Sequence, residues 1–160
     1  PMTATSEITI GREQPERPDV IALVVALDNF HRSIYPAESN HFLDLGTLRG
    51  PEVHFVVARR GGVAVGCGAV WRQTDGSGEV KRMYVAPSER GNGIGAMMLR
   101  QLLDHARSAG IDVLRLETGI HSQAALGLYR SAGFCERGPF AGYGADPMSV
   151  FMELQLSQPQ

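Results

Sequence analysis

The stretch EVKRMYVAPSERGNGIGAMMLRQLLDHARSAG, residues 79–110, decides the fold because two hydrophobic periods meet in it. Its first part, which contains Val80 and Val85, is short and β-branched, as is typical of a strand. From Ile94 onwards, apolar residues recur every three to four positions, which predicts an amphipathic helix that stops at Gly110. The stretch therefore predicts a strand, a tight turn and a helix in succession.

The turn between these two elements has the sequence RGNGIGA, residues 90–96, with glycine at alternate positions. Glycines at the start of a helix are costly unless a ligand must approach the backbone. The first amides of a helix lack intrahelical partners and carry the positive end of its dipole, so we predict a cradle for phosphate here. The turn lacks a Gly-Lys-Ser/Thr ending and the G-x-G-x-x-G spacing, which disfavours ATP hydrolysis and dinucleotide binding. A tight turn without a ligand is the alternative.

Composition narrows the class of protein. The chain has 160 residues, 43% of them hydrophobic and 20% charged, which predicts a single domain over residues 1–160 with frayed ends at 1–6 and 157–160. A formal net charge of −2 gives no reason to expect nucleic acid as a partner.

The sequence also gives no sign of a membrane segment or a metal site. The longest wholly apolar run, residues 20–27, is far below the roughly 20 residues that span a bilayer. No signal peptide is evident, so we expect a cytoplasmic protein without membrane contact. Neither the cysteines nor the histidines show metal-ligand spacing, so no metal is expected.

The remaining elements follow from the same patterns. Before the central stretch, we predict a strand over residues 7–12, a helix capped by Asp19 and closed by Pro36, and a short helix before Gly50. A hairpin of 53–60 and 63–72 around two glycines follows. After the central stretch, we predict a strand over 111–119, a helix over 122–131, a strand after Gly133 and a last strand over 149–156. Gly66 and Gly68 predict close packing or a bulge. The resulting fold class is α/β of the α+β type, with a mixed, mostly antiparallel central sheet of about seven strands and helices on both faces.

Two motifs at this separation resemble one enzyme family. The first is Arg90-x-x-Gly93-x-Gly95, and the second is the A-x-x-L-Y-x-x-x-G-F pattern that runs from Ala125 to Phe134. Together with the order of elements, they resemble the Gcn5-related N-acetyltransferase (GNAT) family over about residues 7–156. The segments PAESNHFLDL, GCGA, LETG and DPMSVFM are similar to a bacterial subgroup of small-molecule acetyltransferases.

The resemblance implies acetyl-CoA as co-substrate and a role for each matching residue. It places Tyr129 beside the thioester sulfur as general acid. Ser122 occupies the position, seven residues before this tyrosine, where the family often has an asparagine that contacts the pantetheine. The other implied cofactor-binding residues are Met83, Tyr84 and Val85 for the pantetheine and Arg90, Gly91, Asn92, Gly93, Ile94, Gly95 and Ala96 for the pyrophosphate.

The chemistry of amine acetylation asks for a base and an acid. An alkylammonium with a pKa near 10.4 lies about 4.6 kcal/mol from its reactive form at pH 7, and a carboxylate can remove its proton. Two candidates are open: Glu79, near where some family members keep a base, and Glu117. A phenol such as Tyr129 stays protonated at neutral pH and can donate to the leaving thiolate. The structural alternatives are a core tyrosine and solvated carboxylates, and Cys67 is expected to be a small buried residue.

Two polar and aromatic segments, residues 35–44 and 140–146, are expected to select the acceptor, with Glu38, His41 and Tyr143 as substrate-binding residues. Glu38 with Asp146 would suit a cationic acceptor, whereas His41 with Arg130 would suit a carboxylate. The sequence thus predicts an acetyl-CoA-dependent N-acetyltransferase that transfers the acetyl group directly to a small-molecule amine, and it is compatible with a homodimer. The alternatives are a non-catalytic acyl-CoA-binding module and, as a weaker fit, a dinucleotide-dependent oxidoreductase.

Overall fold

The computed structural model describes residues 7–36 and 44–156, and it confirms the predicted order of elements. The strands are β1 (Ile8–Arg12), β2 (Val53–Arg60), β3 (Val63–Arg72), β4 (Gly78–Val85), β5 (Val113–Gly119), β6 (Cys135–Arg137) and β7 (Ser149–Gln155). The helices are α1 (Pro18–Ile34), α2 (Leu45–Leu48), α3 (Ile94–Ser108) and α4 (Gln123–Ser131), with a 3-10 turn at Pro87–Glu89. The strands form one seven-stranded sheet in the order β1-β2-β3-β4-β5-β7-β6. Within the described residues, β4–β5 is parallel and the other neighbouring pairs are antiparallel.

Hydrophobic burial places helices on both faces of this sheet, as predicted. On one face, α1 and α2 pack against β2 and β3 through residues such as Val20, Leu48 and Phe55. On the other face, α3 and α4 contribute Leu102 and Leu126 to a larger cluster that also contains side chains of β4, β5 and β7. A cleft lined by residues of α1 from the first face and of α3 and α4 from the second lies between these layers.

The start of α1 differs from the prediction. Pro18, not Asp19, begins the helix, and Arg17 is the N-cap, because the fixed φ of proline suits a first helical position. Asp19 instead accepts a hydrogen bond from Arg59 Nη1 at 2.7 Å, which ties the helix to β2. At its other end α1 stops at Ile34, and Tyr35 is extended ahead of Pro36.

The glycines of β3 predicted close packing or a bulge in that strand, and the structure places a bulge in the neighbouring strand β4, opposite Gly68. Cys67 pairs with Tyr84 and Ala69 pairs with Lys81, so two residues of β4 face Gly68 alone. The first of the two, Arg82, has a φ of 60°, and its guanidinium pairs with Asp28 of α1. A Cβ on Gly68 would lie 2.4 Å from the sulfur of the second, Met83. Glycine at this position therefore makes room for the bulged strand.

The parallel neighbours β4 and β5 are paired only where β4 begins. Their register consists of Gly78 with Leu114 and Glu79 with Arg115. Beyond these pairs β5 stays paired with β7 as far as Gly119, whereas β4 stays paired with β3. The two strands therefore separate in the middle of the sheet, and the edge of β4 that faced β5 is left open.

Candidate active site

A cleft of about 630 Å³ lies where β4 and β5 separate. Residues 80–85 of β4 form one wall, Glu117 and Thr118 of β5 form the other, and the starts of α3 and α4 and part of α1 complete it. The cleft brings together these predicted site residues: Met83, Tyr84, Val85, Arg90, Gly91, Gly93, Ile94, Gly95, Ala96, Glu117, Ser122 and Tyr129.

Some predicted residues lie elsewhere. Asn92, Glu79 and Tyr143 are not among those that line the cleft, and Glu38 and His41 lie outside the described residues. Arg130 is an exposed residue whose guanidinium bonds to Glu136 at 2.9 Å, away from the cleft lining.

The backbone of the glycine-rich turn is uncovered and lies beside the cleft. Gly91 and Gly93 have φ angles of 84° and 79°, which favour glycine, and an added Cβ on either would meet nothing within 4 Å. The turn therefore exposes its backbone beside the cleft, directly ahead of the 15-residue helix α3. Gly95 lies within α3, where an added Cβ would lie 3.4 Å from Leu128 of α4, an ordinary van der Waals distance. These features fit a pyrophosphate group.

Two side chains fix this turn to its surroundings. Arg90 Nε donates to the carbonyl of Val85 at 3.0 Å, and its guanidinium lies 5.7 Å from the ring centre of Phe30 and 5.6 Å from that of Tyr84. Glu89 accepts hydrogen bonds from Arg60 and from Asn92 Nδ2. The bonds from Arg60 hold the pKa of Glu89 below its ordinary value. Asn92 thus braces the turn through Glu89.

Tyr129 is a buried phenol that reaches the cleft from α4. The side chain is 5% exposed and packs edge-to-face on Phe134, with ring centres 5.7 Å apart. Burial raises the pKa of Tyr129 above its ordinary value, and the negative charge of Glu117 raises it further. The phenol therefore keeps its proton at neutral pH and can act as a hydrogen-bond donor.

The two candidate carboxylates have different environments. Glu79 is 2% exposed, and its Oε2 accepts a hydrogen bond from the Tyr143 hydroxyl at 2.5 Å and lies 3.2 Å from Lys81 Nζ. Glu117 lines the cleft and accepts a hydrogen bond from Ser149 Oγ at 2.8 Å. Glu79 is therefore part of a buried polar cluster, whereas Glu117 faces the space where a ligand fits.

Sequence reasoning missed several cleft residues. Lys81 lines the cleft and donates to the Tyr143 hydroxyl at 2.7 Å. His31 and His121 also line it, and the ring of Tyr35 stacks with both of theirs. The spacing of four between His31 and Tyr35, at the end of the predicted helix, was the signal available for this pair. Burial lowers the pKa of His31, and it raises the pKa of the Cys67 thiol to about 12, which suits a small core residue.

Neither a metal site nor a membrane span is found among residues 7–36 and 44–156. No group of three His, Cys, Asp or Glu side chains there is arranged to hold a metal ion. None of the helices in the same part of the chain is long and apolar enough to cross a bilayer.

The profile of the acetyltransferase (GNAT) family matches residues 20–134. The chain belongs to this family. It is 51% identical over 150 residues to the IAA acetyltransferase of Azospirillum brasilense. The aligned region covers 93% of this chain and 98% of that protein. A solved Klebsiella pneumoniae structure described as an acyl-CoA N-acyltransferase aligns with a TM-score of 0.79 at 39% identity, over 94% of this GNAT chain and 98% of its own.

A third relative was solved with a ligand. The Salmonella typhimurium protein yncA, described as an acetyltransferase with its cofactor acetyl-CoA, aligns with a TM-score of 0.67 at 24% identity, over 95% of each chain. Its likeness supports the fold. Family membership confirms that this GNAT chain is an N-acetyltransferase enzyme, as the sequence predicted, in preference to a non-catalytic module or an oxidoreductase.

Proposed function

We propose that this GNAT enzyme transfers the acetyl group of acetyl-CoA directly to the amine of a small molecule, in the cleft between β4 and β5. The observation that carries the proposal is the meeting of an anion cradle, a carboxylate and a buried phenol on one cleft. Glu117 is the proposed general base and Tyr129 the proposed general acid. The bound co-substrate would supply an acetyl group already activated as a thioester.

Binding would use backbone groups from two elements. The amides of residues 90–96, at the positive end of the α3 dipole, are placed to hold the pyrophosphate. Met83, Tyr84 and Val85 lie on the part of β4 that β5 has left, so the peptide groups on that edge are available to the amides of the pantetheine arm. Ser122, at the start of α4, adds a hydroxyl to the opposite wall.

Glu117 is the better placed of the two carboxylates to remove the proton of an incoming ammonium. It faces the cleft, and its bond from Ser149 Oγ orients the carboxylate. Glu79 would first have to give up its contacts with Tyr143 and Lys81. Glu117 takes the proton directly or through one water, which lowers the cost of about 4.6 kcal/mol for using an alkylammonium at pH 7.

Tyr129 would act on the departing sulfur. Its raised pKa keeps the phenol protonated, so it can donate a hydrogen bond to sulfur as negative charge develops there. Because Glu117 influences the pKa of Tyr129, the proposed base and acid lie within electrostatic reach of each other. Proton removal and proton donation can therefore occur on one bound pair of reactants.

The acceptor is proposed to be a small amine, because the enzyme's relatives include an L-amino acid N-acyltransferase from Escherichia coli that is 33% identical over 120 residues. Tyr143 is proposed to act at the acceptor end, next to Lys81 on the cleft wall. Glu38 and His41 stay proposed acceptor contacts.

The proposal is tested in two steps. Calorimetry should first show that acetyl-CoA binds the purified protein. A panel of amines and amino acids, screened for free thiol release, should then identify an acceptor, and mass spectrometry should find the acetyl group on its nitrogen. Binding without thiol release for any member of a broad amine panel would contradict direct transfer to a small amine.

A further inference from the structure

Tyr35 fills the space between the end of α1 and the turn that connects β5 to α4. It is 6% exposed, and its ring stacks with the rings of both His31 and His121, with centres 5.6 Å apart in each pair. A Cβ on Gly119 would lie 1.8 Å from the Tyr35 hydroxyl oxygen. The glycine at this position therefore admits the phenol, which links the end of α1 to the wall of the cleft formed by the start of α4.

The hydroxyl of Tyr35 bonds to two successive residues at the start of α4. The backbone N–H of His121 donates to it at 3.0 Å, and Ser122 Oγ lies 3.2 Å away. A phenol has a single proton, so with its oxygen accepting from His121 it can direct that proton to Ser122 Oγ. The serine oxygen then acts as acceptor, and its own proton is left to donate elsewhere.

Ser122 has an unusual role for its position. It is the N-cap residue of α4, where a serine normally bonds to a backbone N–H of the first turn, yet its side chain makes no capping hydrogen bond. It lines the cleft instead. The bond with Tyr35 accounts for this orientation, because it holds the serine oxygen away from the helix amides.

We infer that Tyr35 is a positioning residue that aims the Ser122 hydroxyl into the cleft, where it donates to an amide carbonyl of the pantetheine arm. The inference rests on the proposed use of acetyl-CoA. It assigns the cofactor contact to a pair of residues from distant parts of the chain. Tyr35 itself need not touch the co-substrate.

The test is a double-mutant cycle read by calorimetry of acetyl-CoA binding. Tyr35→Phe keeps the ring and removes the hydroxyl, and Ser122→Ala removes its partner. Each single variant should weaken acetyl-CoA binding about three- to tenfold. The double variant should bind acetyl-CoA with the same affinity as Ser122→Ala alone, because the role of Tyr35 depends on Ser122. In a Ser122→Thr background, which keeps a hydroxyl, Tyr35→Phe should still weaken binding. Ser33→Ala, an exposed hydroxyl of the same helix, should leave binding unchanged.

Thermal unfolding of each variant separates positioning from packing. If Tyr35→Phe lowers only the melting temperature, or if the two losses of affinity multiply in the double variant, Tyr35 has no part in aiming Ser122 and the inference is wrong. Wild-type protein that fails to bind acetyl-CoA would overturn the proposed function as well, whereas wild-type binding with unchanged Tyr35→Phe affinity would overturn this inference alone.

Discussion

The two ends of strand β4 carry similar polar chemistry in opposite environments. At its start, where β5 is still paired, Glu79 is buried and bonded to Tyr143 and Lys81. At its end, where β5 has moved away, the strand borders the cleft that Glu117 and Tyr129 line. Both places combine a carboxylate with a phenol: Glu79 accepts a hydrogen bond from Tyr143, and the charge of Glu117 raises the pKa of Tyr129. At the first, the two groups bond to each other, and at the second they face a space that a substrate fits.

The difference shows that the separation of the strands, more than residue type, decides which polar groups are available for chemistry. Closed contacts at the start of β4 satisfy buried groups that would otherwise be costly. The open edge leaves hydrogen-bonding groups for a ligand. Variants at the two ends should therefore differ in kind: loss of stability at the closed end, and loss of binding or turnover at the open end.

The largest effect should come from Tyr129→Phe. The change keeps the ring that packs on Phe134 but removes the donor, so kcat should fall by roughly 10²- to 10⁴-fold with little change in the KM for acetyl-CoA. Steady-state kinetics with the acceptor found in the screen measure this, and an unchanged melting temperature is the control. If the variant turns over as fast as the wild type, Tyr129 is not the general acid and only packs in the core.

Gly93→Val should come next, because it places a β-branched residue at a φ of 79° beside the cleft. Each charge-assisted hydrogen bond lost to phosphate should cost about 1.5–3 kcal/mol, a roughly ten- to hundredfold weaker binding of acetyl-CoA. Calorimetry measures it against Gly76→Val, which has a φ of 88° and equal space in a turn away from the cleft. If both variants bind acetyl-CoA with equal affinity, the backbone of residues 90–96 does not hold the pyrophosphate.

Glu79→Gln should act mainly on stability. The amide can still accept from Tyr143 but loses the ion pair with Lys81 Nζ, which should lower the free energy of unfolding by about 2 kcal/mol. Chemical denaturation measures this, and Glu136→Gln, which loses an exposed pair with Arg130, should change it little. If Glu79→Gln unfolds with the same free energy as the wild type, the polar contacts at the start of β4 do not stabilise the fold, which contradicts the proposed difference between the two ends of the strand.

The smallest effect concerns His54 and His105, whose rings stack 3.5 Å apart between β2 and α3, away from the cleft. Burial, then His105 and Arg12, lower the pKa of His54 to about 4, and burial, then Arg12 and Arg72, lower that of His105. The unfolded chain therefore binds protons first, so stability is full above about pH 6.5 and falls as the pH drops towards 4. Solvent screening of these partly exposed rings keeps the loss to about 1 kcal/mol.

The variant His105→Gln should reduce this acid sensitivity without changing turnover at neutral pH. Melting temperatures across the range from about pH 7 to pH 4 measure the slope. If the variant and the wild type show the same slope, the stacked pair does not control acid stability.

The sequence predicted the elements whose signals are local. The period change at Ile94 located α3, and the two-glycine turn located the hairpin of β2 and β3 with the observed bounds. Residues of the glycine-rich turn came together on the cleft because they are neighbours in the chain. Gly68 indicated close packing or a bulge because a missing side chain is visible in any sequence, although the bulge itself lies in β4.

The choice between Glu79 and Glu117 depended on information that the sequence does not carry locally. Both sit on strands next to apolar residues, and only the point where β5 leaves β4 distinguishes them. The contact of Glu79 with Tyr143 joins residues 64 positions apart. The same holds for Tyr35 and Ser122, which are 87 positions apart and meet only because Gly119 leaves room.

The most direct test of the proposed chemistry compares kcat/KM of Glu117→Gln and Glu79→Gln as a function of pH with the same acceptor. If Glu117 is the base, Glu117→Gln should lose roughly 10²- to 10⁴-fold at pH 7 and recover as the pH approaches the amine's own pKa near 10.4, where the acceptor arrives deprotonated. Glu79→Gln, assayed below its melting temperature, should keep the wild-type profile. The reverse pattern, with Glu117→Gln fully active and Glu79→Gln rescued by high pH, would contradict the account.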